Sequence, residues 1–215
     1  MKVDFHVHTS FSPDGKISLN DLKRVSEKLG VIPTISDHDT ISAFSKAKSI
    51  GLRFIPGIEV SSLDGHIIGL FVNEPIKPGL TGQETIDIIK SQGALSYIAH
   101  PFDYWRMGCV NLNVIQKADI IEAYNQKSPD YLNSLNERMA VSTKKAYAAG
   151  SDSHYIQEFG KTYTIIDCDF DDLTPKKLIR CLRKPKLVKG KQPLLLSLAR
   201  NINRIFNIKT LKRNT

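Results

Sequence analysis

Six histidines stand in this chain, and each lies at or just after an expected strand or beside a carboxylate: His6 and His8 in DFHVHTSFSPDG, His38 in ISDHDT, His66 in LDGHIIGL, His100 in YIAHP and His154 in GSDSH. Side chains at i and i+2 of an extended chain point to the same face, so His6 and His8 can reach one ion, and Asp152 with His154 repeats the arrangement. Imidazole suits Zn, Fe, Ni and Cu, while carboxylates extend tolerance toward Mn and Mg, so the mixed set fits a divalent transition metal. A single histidine at a strand end is ordinarily structural. Here six of them arrive with Glu59 of PGIEV and Asp152 from successive strands, which points to one shared cluster.

Those residues need a frame that gathers strand ends. Lys2–Phe5, Val31–Ser36, Arg53–Val60, His66–Val72, Ala94–Ala99, Asp119–Ala123, Ala148–Ser151 and Tyr163–Asp167 read as strands, with a hairpin at Asp64-Gly65. Helical periodicity marks Ser18–Leu29, with Ser18 as N-cap, and also Ile41–Ile50, Thr81–Gln92, Tyr131–Tyr147 and Leu173–Leu182. Strand–helix alternation implies an α/β fold on a mostly parallel sheet. Seven or so units in about 190 residues suggest a small, distorted barrel, whose active site lies at the C-terminal strand ends.

The motif set HxH, DH, GxE, AHP and SDxH, in that order, resembles the PHP (polymerase and histidinol phosphatase) family of metal-dependent phosphoesterases over residues 1 to about 190. The resemblance implies a distorted seven-stranded (β/α)7 barrel with two or three divalent ions, Mn, Zn or Fe. It places a first ion on His6, His8, Glu59 and Asp152, a second on Glu59, His66 and His100, and a third on Asp14, His38 and His154. It implies hydrolysis of a phosphate monoester or diester, such as a nucleotide or short oligonucleotide, by in-line attack of an activated water. Asp152, His38 and His154 are the expected catalytic groups, His38 or His154 serving as general acid if the third site is empty. Other readings are a histidinol-phosphate-type phosphatase, a non-phosphate hydrolase, and a non-catalytic RNA-binding barrel subunit of the ribonuclease P type.

On the substrate side, Arg106 offers a phosphate clamp and Trp105 a surface for a base, or else both belong to a packed loop. Tyr124-Asn125 follows a strand and is expected to line the pocket. Asp37 and Asp39 flank His38, either orienting its imidazole or capping the helix that follows.

Composition sets outer limits. The 215 residues carry 30 Lys+Arg against 22 Asp+Glu, a net +8, with 41% hydrophobic residues, which is ordinary for a globular protein. No apolar run is long enough for a membrane span, and MKVDFHVH is not a signal sequence. Cys109, Cys168 and Cys181 are odd in number and lack a CxxC pair, so no disulfide framework is expected and a reducing cytoplasm fits. The positive charge is concentrated: residues 173–215 hold 13 basic and no acidic groups, leaving the first 172 residues at −5. Residues 184–193 read as a basic linker after the last helix, and the domain reads as residues 1–190. In the tail of residues 191–215, Leu195, Leu198, Ala199, Ile202, Ile205 and Phe206 form the stripe of an amphipathic helix. That extension suits packing on the barrel or a second copy, an anionic lipid surface, or nucleic acid.

Overall fold

Side-chain caps and strand runs act where the sequence places them in this computed structural model, which describes residues 1–191. Ser18 accepts from the Asp21 amide to start α1 (Leu19–Leu29), and Gly30 ends that helix in the left-handed conformation. Thr81 and Glu84 form a reciprocal capping box on α3 (Gly82–Ser91), which follows α2 (Ala43–Ser49). The later helices are α4 (Leu112–Lys117), α5 (Asp130–Ser142) and α6 (Pro175–Cys181).

Among the described residues, nine strands make one sheet: β1 (Lys2–Val7), β2 (Val31–Ile35), β3 (Ile55–Ser62), β4 (Gly65–Leu70), β5 (Leu95–Ile98), β6 (Ile120–Asn125), β7 (Ala146–Gly150), β8 (Tyr163–Ile165) and β9 (Lys186–Val188). Their order is β7-β6-β5-β4-β3-β2-β1-β8-β9. The β1, β2 and β3 strands are parallel neighbours, as are β5, β6 and β7, and β4 runs antiparallel between β3 and β5. The sheet curls until its ends meet: Val7 bridges Ser153 just beyond β7, and the His8 amide donates to Ser153 O at 2.9 Å. The result is a nearly closed barrel. The expected count of seven holds for the wall from β1 to β7, while β8 and β9 continue the sheet from the first half of β1.

Alternation along the strands sorts the side chains. Ile58, Val60, Ile67 and Ile121 face a layer that includes Leu22, Ile86, Ile89 and Val114 of the helices. Ile55, Ile68, Tyr97 and Ile120 form a second cluster on the other face, and by the same alternation Glu59, His66 and Glu122 share that face. Reversal of β4 brings its first residues, with His66, to the end where the parallel strands finish.

Several expectations are corrected. The helix read over Tyr131–Tyr147 stops at Ser142, because Ala146–Gly150 pairs in parallel with β6; its small residues Ala148 and Ala149 are fully buried. The basic 184–193 segment is no simple linker, since Lys186–Val188 pairs with β8. Helix α4, capped by Asn111, was not anticipated. Cys168 and Cys181, 13 positions apart, form a disulfide and leave Cys109 free. The fold brings their Cα atoms to 6.5 Å, a proximity that counting cysteines does not reveal, and the cysteine argument for a reducing compartment falls with it. No helix among the described residues is long and apolar enough to cross a membrane. The stripe from Leu195 to Phe206 lies outside the described residues.

Candidate metal centre

Glu59 is the hub. It is 1% exposed and its two oxygens face five imidazoles. Oε2 lies 3.2 Å from His6 Nε2, 3.2 Å from His8 Nε2 and 3.4 Å from His38 Nδ1; Oε1 lies 3.1 Å from His66 Nδ1 and 3.3 Å from His100 Nε2. Asp152 Oδ1 stands 3.5 Å from His8 Nε2 and 3.4 Å from His154 Nδ1. Asp14 Oδ2 completes the outer edge, 2.8 Å from His154 Nε2 and 3.7 Å from His38 Nε2. All nine ligand candidates therefore meet in one centre. Four groupings have donor atoms within 4.8 Å of one another: His8, Asp14, His38 and His154; His6, His100 and Asp152; His6, His8 and Glu59; and His38, Glu59 and His66.

The arrangement fits cations. Glu59 Oε1, His66 Nδ1 and His100 Nδ1 are buried and make no well-aligned hydrogen bond, even though Oε1 and His66 Nδ1 lie 3.1 Å apart, a costly state for a carboxylate and two imidazoles unless positive charge joins them. Burial raises the Glu59 carboxyl, but the imidazoles around it, His6 foremost, outweigh that and hold it well below the usual carboxylate range. Burial pulls His100 and His154 down to about 4, and takes His8 well below its ordinary value, so these rings are neutral at neutral pH, the state that metal ligation requires. Burial also depresses His6, yet the Glu59 and Glu122 carboxylates dominate and lift it to about 9.

A supporting ring of polar residues surrounds the hub. Glu122, fully buried, accepts from the His100 amide at 2.5 Å, lies 3.2 Å from His6 Nδ1 and receives the Asn125 amide at 3.0 Å. It orients an imidazole from behind, and sequence reading missed it; the available signal was a lone carboxylate inside the apolar run IIEAY. Lys127 was also missed: its ammonium sits 2.7 Å from His154 Nδ1 and 3.5 Å from Asp152 Oδ1. Arg106 contacts Asp152 Oδ2 and donates to Asn125 Oδ1 at 2.9 Å. Asn125 is 1% exposed and ties Glu122, Asp152 and Arg106 together, whereas Trp105 stands on the rim at 81% exposure. Asp37 binds the Thr9 amide and hydroxyl at 2.6 and 2.7 Å, and Asp39 binds Ser61 at two points, 2.8 Å each. Both pin neighbouring loops; neither caps α2, which begins at Ala43.

Asp4 lies behind His6 and joins β1 to the end of β7, accepting from the Ser151 amide at 2.8 Å. Burial pushes its carboxyl from 3.8 to about 7. Between about pH 4 and about pH 7 the unfolded chain releases this proton while the folded chain keeps it, so folding stability falls as pH rises through that window. Asp4→Asn removes this component. Thermal melts of the chelated proteins should show the variant gaining on wild type as pH rises, and parallel curves would refute the assignment.

A family model described as PHP-associated, PHP_C, matches residues 131–187. An uncharacterized protein of Methanocaldococcus jannaschii, MJ0417, is 33% identical over 212 residues, covering 91% of this chain and 85% of the relative. The chain belongs to the PHP family. Solved structures share the PHP-type barrel. PsfC from Pseudomonas syringae superposes with a TM-score of 0.69 at 15% identity, covering 94% of this chain and 97% of that one. A protein described as a metal-dependent phosphoesterase, from Bifidobacterium adolescentis, gives 0.60 at 17% identity, with 90% and 97% covered.

Proposed function

We propose that this PHP protein is a metal-dependent hydrolase of phosphate esters, acting on a monoester or diester such as a nucleotide or short oligonucleotide. The observation that carries the reading is Glu59, a buried carboxylate whose two oxygens face two groups of imidazoles. His6, His8, Glu59 and Asp152 would hold one ion; Glu59, His66 and His100 a second; Asp14, His38 and His154 a third, with Mn, Zn or Fe suited to the donors. Divalent ions there supply Lewis-acid activation of water at neutral pH and charge neutralisation for a phosphoryl group. The protein's own cations add to this: Arg106 and Lys127 converge on Asp152 and present positive charge to phosphate oxygens. Glu122 holds the His6 ring in place. When the third ion is absent, His38 is the group to deliver a proton to the leaving oxygen, because burial holds the His154 ring neutral. The basic stretch of residues 173–215 suits contact with nucleic-acid phosphates or another anionic surface.

Elemental analysis of protein purified without chelator is expected to find two to three transition-metal equivalents. A screen of phosphate mono- and diesters should show hydrolysis that falls at least about a hundred-fold in His6→Ala and Asp152→Ala. Equal activity in all three proteins would assign the hydrolysis to a contaminant, and metal-free protein as purified would sink the reading.

A further inference from the structure

A second glutamate is buried beside the centre, in the turn that follows β7. Glu158 is 1% exposed, and its Oε2 accepts from the His154 amide at 2.8 Å and from the Tyr155 amide at 3.1 Å. The Glu158 amide closes the turn on Tyr155 O at 2.9 Å, and Gln126 Nε2 donates to Glu158 O at 3.4 Å, tying the turn to the segment after β6. Asp152, where the turn begins, has φ 53°, a left-handed conformation that a residue with a side chain keeps only when its surroundings hold it. Fixing His154 also fixes its neighbours: the Lys16 amide donates to His154 O at 2.8 Å, and His154 Nε2 lies 2.8 Å from Asp14 Oδ2. The Asp14 loop is thus registered against His154, and His154 against Glu158. Charge acts in the same place. The Lys127 side chain is 4% exposed, with its ammonium 2.7 Å from His154 Nδ1, 3.5 Å from Asp152 Oδ1 and 3.8 Å from Glu158 Oε2. A buried ammonium needs a counter-charge. Asp152 is shared with Arg106 and is an ion ligand candidate, whereas Glu158 belongs to none of the four donor groupings, so its charge stays with the ammonium.

We propose that Glu158 is the positioning residue for the third ion, holding His154 through its backbone and Lys127 through its charge, so that Asp14, His38 and His154 can take a cation next to an ammonium. This rests on the three-ion phosphoesterase reading and adds to it a residue that acts only through others. The two functions of the carboxylate can be separated. Glu158→Gln keeps an oxygen for the His154 and Tyr155 amides but takes the negative charge from beside Lys127, while Glu158→Ala removes both.

Full-length protein, freed of metal by chelation, is titrated with Mn2+ in a calorimeter. In Glu158→Gln the dissociation constant of one Mn2+ equivalent should rise about ten-fold, with the others changed less than about two-fold. With Lys127→Met already in place, the same substitution should cost less than about three-fold, because the charge it removes has lost the group it balances. Amide hydrogen exchange of the chelated proteins reads the backbone function. The His154 and Tyr155 amides should exchange at the wild-type rate in Glu158→Gln and at least about ten-fold faster in Glu158→Ala. Should Glu158→Ala fail to fold, the Mn2+ titrations decide alone. Wild-type affinities in Glu158→Gln, an equal loss at every ion, the same cost with and without Lys127, or wild-type exchange in a folded Glu158→Ala overturns the proposal. So does a wild type that binds fewer than three ions. Three ions that respond as expected, in a protein that hydrolyses no ester, support the positioning role while refuting the phosphoesterase reading.

Discussion

Glu59→Gln is expected to strip the centre of its ions and abolish hydrolysis. The substitution keeps the size and one oxygen of a side chain that is 1% exposed, so the barrel has no cavity to absorb. What changes is charge and the number of acceptors. One oxygen that faces either the His6, His8 and His38 group or the His66 and His100 pair becomes an NH2 donor, which cannot coordinate. Bound metal should fall from two or three equivalents to one or fewer, and kcat should fall about a thousand-fold or more. Circular dichroism should stay at wild type. A folded variant that retains its full metal complement would show that Glu59 does not join the sites.

Gly150→Ala is expected to damage the same centre from behind. Gly150 closes β7, and a Cβ there would lie 2.4 Å from Glu122 Oε1 and 2.5 Å from His6 Cβ. Neither neighbour has room to yield. His6 Cβ is set by the β1 backbone, and the Glu122 carboxylate is held by His6, the His100 amide and Asn125. Overpacking of this kind costs about 1–3 kcal/mol, or a melting temperature lower by roughly 3–10 °C for a domain of this size. Displacement of Glu122 loosens the His6 ring and should weaken metal binding about 10–100-fold. Calorimetry and metal titration test both arms, and a variant with wild-type values in each would mean that the strand shifts freely and Glu122 does not orient His6.

The supporting ring shows where sequence reading ends. His6 with His8 and Asp152 with His154 are visible because an extended chain repeats its direction every two residues. Ser18 announces its helix because a cap acts within three residues. The strand–helix alternation of the body follows from periodicity in the same way. Glu122 carries no such local mark: its partner His6 is 116 positions away, and only the register of β6 against β7, with the closing of the sheet end onto β1, brings the two together. Lys127 and His154, 27 positions apart, are joined by the parallel pairing of β6 with β7, which sets the segments that follow the two strands side by side. The Lys186–Val188 strand was hidden for a related reason, since a short basic segment becomes a strand only when β8 offers an open edge. The Cys168–Cys181 bond likewise depends on how the chain after β8 folds against α6. The sequence by itself determined the donor types, their order along the chain and the alternating elements that carry them, because those are properties of spacing. Tertiary structure alone decided which donors share Glu59, which buried groups hold them and which cations face Asp152, because those depend on strand register and barrel closure across long separations.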